Sequence, residues 1–165
     1  MNRMMFRVWA LMVGALLPMF VQEAAACPQQ DDHAMNRRGD HVMGFDHDKT
    51  THHFTLTKSG GVIQVQANSE TDTASRDHIR MHLQHIAKAF AEGDFTDPHD
   101  VHAETPPGVP AMKERKDKIT YSYESTATGG KVVIRTDDAE ALAAVHSYLQ
   151  YQIRDHKTGD STDLK

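Results

Sequence analysis

Thr51-His52-His53-Phe54-Thr55-Leu56-Thr57-Lys58-Ser59-Gly60-Gly61-Val62-Ile63-Gln64-Val65-Gln66-Ala67 reads as two short strands around a turn, and the pattern occurs twice in the chain. Strand-like runs at 51–57 and 62–67 flank Lys58-Ser59-Gly60-Gly61, where paired glycines are expected to supply the positive φ of a tight turn. A helix is predicted over 73–92, with Asp72 or Thr73 capping its start and Gly93 suited to the left-handed residue past its end. The pattern then restarts. Strands at 118–125 and 131–136 flank a turn ending in Gly129-Gly130, and a second helix is predicted over 138–156, with Asp137 and Glu140 as a capping-box start and Gly159 as its terminator.

Each copy runs strand, Gly-Gly, strand, helix, Gly-Asp, the last pair being Gly93-Asp94 and Gly159-Asp160. Aligned through the glycine pairs, His52 matches Tyr121 and Phe54 matches Tyr123. Aligned back from the Gly-Asp pairs, Leu83 matches Leu149, His82 falls opposite Tyr148 and His85 opposite Tyr151. Two such units most simply form an α+β domain, a duplicated ββα unit with a four-stranded antiparallel sheet and two helices on one face, because a lone hairpin cannot bury its apolar side. His52, Phe54 and Leu56 share one strand face, as do Ile119, Tyr121 and Tyr123.

Upstream of the repeat the chain changes character. Arg3 and Arg7 precede an almost wholly apolar run at 8–21, followed by Ala24-Ala25-Ala26, the arrangement of a cleavable secretory signal over 1–26. That run, interrupted by Pro18, is shorter than the roughly 20 residues of a spanning helix. Export to the bacterial periplasm is expected. Cys27, the one cysteine, would then begin the mature chain and is a possible site of lipid anchoring, although Ala24 stands where a lipoprotein signal normally carries Leu, and no internal disulfide can form.

Removing 26 of 165 residues leaves 139, one ordinary domain with enough chain for a core. Removing Arg3, Arg7 and Glu23 leaves 16 basic and 22 acidic side chains, an acidic balance that argues against nucleic acid as partner. Within the mature part, 27–49 is expected to be a mobile arm without strand or helix period, 50–160 the duplicated domain (repeat one 50–94, a proline-bearing loop 95–117, repeat two 118–160), and 161–165 a tail.

All 12 histidines lie beyond the signal. On the first predicted helix Ile79, Leu83, Ile86 and Phe90 form an apolar stripe, and His78, His82 and His85 form a second stripe beside it. Imidazoles three and four residues apart point the same way and can converge on one ion, while the same spacing also fits a half-exposed border. His52 is expected to face the helices and to approach His82 or His85, as a ligand or as a hydrogen-bonded core ring. His53 is read as surface. In the arm, His33-Ala34-Met35 and His41-Val42-Met43 form two His-x-Met motifs, and their soft thioethers suit copper better than zinc. His99 and His102 are read as solvated loop residues, His146 as structural, and His156 as a cation at a helix C-terminus.

No Gly-x-Ser-x-Gly elbow, phosphate loop, HExxH helix or Cys-x-x-Cys pair occurs, so no catalytic role is expected. The stretches Met43-Gly44-Phe45-Asp46, Lys49-Thr50-Thr51-His52-His53-Phe54, His82-Leu83-Gln84-His85-Ile86, Thr105-Pro106-Pro107-Gly108-Val109-Pro110 and His156-Lys157-Thr158-Gly159-Asp160 resemble a family of small exported bacterial proteins of unassigned function. The resemblance spans nearly the whole mature chain. It implies export and a single domain, and some relatives carry an aspartate carbamoyltransferase label that no carbamoyl-phosphate loop here supports. The expected function is a periplasmic copper-binding or copper-buffering protein, with zinc or haem as alternative ligands. A non-metal envelope interaction or sensor module is the alternative of another class.

Overall fold

The computed structural model describes residues 28–165; the expected signal over 1–26 and Cys27 lie outside them. The described elements are helix α1 (Pro28–Met43), strands β1 (Thr50–Thr57) and β2 (Gly60–Ala67), helices α2 (Thr73–Glu92), α3 (Thr96–His102) and α4 (Val109–Glu114), strands β3 (Thr120–Ser125) and β4 (Gly129–Arg135), and helix α5 (Ala139–Asp155). Single turns of 3-10 helix at His47–Lys49 and Lys116–Lys118 lead into β1 and β3. Among the described residues, no helix is long and apolar enough to cross a membrane.

The four strands form one antiparallel sheet in the order β1-β2-β4-β3. The two hairpins join through β2 and β4, where Ile63 lies opposite Val132, Gly61 opposite Ile134 and Val65 opposite Gly130. Exchanging the two copies maps this pairing onto itself, as a duplicated ββα unit requires. The same register puts His52, Phe54 and Leu56 on the sheet face that also carries Val65, Ile63, Val132, Ile134, Tyr121 and Tyr123. Against that face the buried residues of α2 and α5 complete a single core. α5 packs over β1 and β2, and α2 over β3 and β4 with some contact to β2, so each hairpin is covered chiefly by the other copy's helix.

This crossed packing explains the glycine pairs, which do not act as the turns expected of them. The first turn is Lys58-Ser59, closed by the Thr57 and Gly60 pair; of the four paired glycines Gly60 alone has a positive φ, 146°. Gly61 sits inside β2, where a Cβ would meet Leu149 Cδ1 of α5 at 2.2 Å and the Thr55 carbonyl oxygen at 2.6 Å. Gly130 sits inside β4, where a Cβ would lie 3.3 Å from Leu83 Cδ1 of α2 and 2.8 Å from Tyr123 Cε2. Gly61 and Gly130 are places where a helix comes down onto the sheet.

Helix α2 has the expected bounds. The Asp72 carboxylate accepts from Ser75 N at 3.0 Å and from the Ser75 hydroxyl at 2.8 Å, which holds its carboxyl below the usual range, and Gly93 closes the helix at φ 81°. In α5 the cap is Asp138, which accepts from Ala141 N at 2.9 Å, rather than Asp137; Glu140 turns away to pair with Arg115. That helix ends at Asp155. The left-handed residue after it is Lys157 at φ 51°, two places before the expected Gly159.

Two segments read as irregular are helical. The proline-bearing loop contains α3 and α4, and Pro98 and Pro110 fall in their first turns, where a missing N–H costs nothing. The segment read as an arm forms α1, which buries only Met35 and Gly39 of its residues from His33 onward and so shows little apolar period. α1 packs on α3, where Arg38 Nε donates to the Val101 carbonyl at 2.8 Å, and Phe45 beyond it enters the core.

Candidate functional site

One end of the core is crowded with imidazoles. Helix α2 presents His78, His82 and His85 on adjoining turns, and α3 brings Asp97 across from them in its own first turn. The C-terminal end of α1 closes the other side with Met43. Together these residues line an open cleft of about 420 Å³. The Asp97 Oδ2 atom lies 3.4 Å from His85 Nε2 and 3.9 Å from His82 Nδ1, so one carboxylate oxygen stands between two rings of the same helix. Burial raises the Asp97 carboxyl above its ordinary range, an effect opposed by His85 and reinforced by Asp94 and Asp100.

Adjoining the cleft is a smaller, partly open cavity of about 60 Å³ between the sheet and the helices, lined by His52, His82, His102, His156, Met43 and Asp97 with apolar side chains around them. Met43, His82 and Asp97 border both spaces. Phe45 holds two of the rings, edge-on to His82 with centroids 5.7 Å apart and 6.0 Å from His52. His52 stacks on His156 at 5.5 Å and 6° between planes, and His156 meets His102 at 5.1 Å in a T arrangement. Burial, with lesser contributions from neighbouring imidazoles, lowers His52 and His82 to about 4 and His156 to about 3. All three are therefore neutral at pH 7, each with a nitrogen lone pair to offer.

His102 is anchored at both nitrogens, Nδ1 at 2.5 Å from Asp155 Oδ2 and Nε2 at 3.2 Å from Gln152 Oε1. The Gln152 amide nitrogen is buried and has no hydrogen-bond partner among the described residues.

The expected residues fall into three groups. His78, His82, His85 and Met43 come together in the cleft. His52 meets His82 in the inner cavity but shares no wall with His85, so the anticipated trio His52, His82 and His85 is split, with His82 common to both halves. The His-x-Met motifs are not united. Residues two apart on a helix point about 200° apart, and accordingly His33 is exposed while Met35 is buried, and His41 is exposed while Met43 faces the cleft.

Three residues of the site carried no clear sequence signal. Asp97 looked like one carboxylate among many. His102, read as a solvated loop residue, is buried against α5 because its segment is a helix. His156, read as a dipole cation, turns inward as the α5 cap and stacks on β1. His146 does have a structural role, its Nε2 lying 2.9 and 3.0 Å from the Thr57 and Gly60 carbonyls, which ties the first hairpin turn to α5. His53, half exposed, pairs with Asp160 at 3.1 Å.

Elsewhere, Asp40, Asp46 and His47 have ligand atoms within 4.8 Å of one another. Their hydrogen bonds also shape the turn after α1: Asp40 Oδ1 accepts from His47 N at 2.8 Å, and Asp46 Oδ1 accepts from Asp48 N at 2.9 Å. Compared with family models, curated proteins and solved structures, the chain matches none.

Proposed function

We propose that this is an exported transition-metal-binding protein, with copper as the preferred ion and zinc the alternative, which buffers the ion in the cleft between α2 and α3. His82, His85 and Asp97 are its ligands, with Met43 and His78 at the rim. One observation carries the reading: a carboxylate oxygen within 3.4 and 3.9 Å of two imidazole nitrogens from one helix. Ligands bonded at about 2.0–2.1 Å around a tetrahedral ion stand roughly 3.4 Å apart. The two histidine–Asp97 distances approach that value, but the three ligand atoms do not all lie within 4.8 Å of one another, so closing them on one ion requires His82 or His85 to swing inward. The neutral His82 ring needs no deprotonation at pH 7.

Met43 is what favours copper, since a thioether is a soft ligand. The expected signal over 1–26 would deliver the protein to the compartment where extracytoplasmic copper is met.

The test is thermal unfolding with and without metal. Cu(II) or Zn(II) at about one hundred times its dissociation constant stabilises the folded state by about 2.7 kcal/mol. His82→Ala combined with His85→Ala is expected to remove most of the resulting shift, and Asp40→Asn to leave it intact. A midpoint unmoved by Cu(I), Cu(II) and Zn(II) refutes the proposal, and loss of the shift in Asp40→Asn alone moves the site to the turn after α1.

A further inference from the structure

We infer that the inner cavity is a second site, distinct from the cleft, that takes a soft monovalent ion, Cu(I) or its redox-inert counterpart Ag(I), through His52, His156 and Met43. It rests on the cleft reading only for its entrance, because Met43, His82 and Asp97 border both spaces and mark where an ion would pass inward.

The chemistry of the wall sets the ion. Two half-buried rings on separate elements, His52 from β1 and His156 capping α5, are stacked at 5.5 Å at the edge of the apolar core. Each neutral imidazole offers one nitrogen lone pair to a ligand in this space. Asp97 is the one carboxylate on this wall. A monovalent ion beside a single carboxylate leaves the site neutral, whereas a divalent ion leaves a net charge in a low-dielectric interior. Soft d10 ions accept two or three nitrogen and sulfur ligands, the donor types on this wall, whereas harder ions prefer oxygen ligands. His102 is a less suitable ligand, since Asp155 and Gln152 already hold both its nitrogens.

The test uses 15N-labelled protein and two probes. One equivalent of Ag(I) is expected to move the ring 15N resonances of His52 and His156 and the methyl resonance of Met43. Zn(II) is expected to move His82 and His85 and leave His52 and His156 in place. His156→Phe should lose about tenfold or more in Ag(I) affinity while Zn(II) affinity stays within about twofold, and Met43→Leu should lose Ag(I) affinity likewise. His52 and His156 resonances that stay put with Ag(I) in the wild-type protein overturn the inner site and leave a water-filled cavity, whether or not the variants fold. Zn(II) that leaves His82 and His85 unmoved overturns the cleft reading alone.

Discussion

His52, His82 and His156 are largely enclosed, half-buried rings held neutral at pH 7, and that makes stability a function of pH. In the unfolded chain each ring protonates near 6.5, whereas in the fold burial holds His52 and His82 to about 4 and His156 to about 3. Between those limits the unfolded state binds more protons, so stability is full above about 6.5 and falls as the pH drops toward 4. The expected loss between pH 7 and pH 5 is about 1–2 kcal/mol per ring, read from urea unfolding at the two values. Asp72, Asp94 and Asp160 have lowered carboxyls and lose their contribution only further down. Asp97 runs the opposite way because burial raises its carboxyl. A His52→Phe, His156→Leu variant that folds should show a flatter profile; equal slopes in variant and wild type would mean that these rings are not the buried neutral groups. At this scale the sequence was only partly readable. His78, His82 and His85 were marked by their helical spacing, while His102 and His156 owe their burial to tertiary packing that their neighbours in sequence do not reveal.

Regular elements were readable wherever period and caps agreed. Helix α2, with Asp72 before it and Gly93 after it, is the clearest case; α1 and α3 were missed because one buries few of its residues and the other carries a proline that reads as a breaker but starts a helix. The caps themselves are testable. Asp72→Ala removes a bond to Ser75 N and is expected to lower the thermal midpoint without altering metal binding. Gly61→Ala is the sharper test of helix placement, since its Cβ would enter the space of Leu149 Cδ1 and approach the Thr55 carbonyl. Overpacking of this kind costs about 1–3 kcal/mol or more. If the glycines served only the turns, alanine at Gly61, which has no positive φ, would be nearly silent in thermal unfolding.

At the level of the whole molecule the antiparallel α+β sheet was legible from the repeated glycine pairs and helix ends, and its pairing fits the expected duplication. The exchange of helices was not legible, because strand and helix order alone leaves open which helix covers which hairpin. With α5 over β1 and β2, and α2 mainly over β3 and β4, each half on its own leaves much of a hairpin face bare. Residues 28–94 and 95–165 expressed separately are expected to lack cooperative unfolding and to regain it when mixed. A half that melts cooperatively alone would show that the copies are independent. The cleft, in turn, exists only because α1, α2 and α3 converge over one end of this core. The most direct measurement of its role is the anomalous signal from zinc or copper in crystals of the metal-loaded protein. The expected result is one peak about 2.0–2.1 Å from nitrogens of His82 and His85 and from an Asp97 oxygen. A peak at Asp40, Asp46 and His47, or no ordered metal at all, would contradict it.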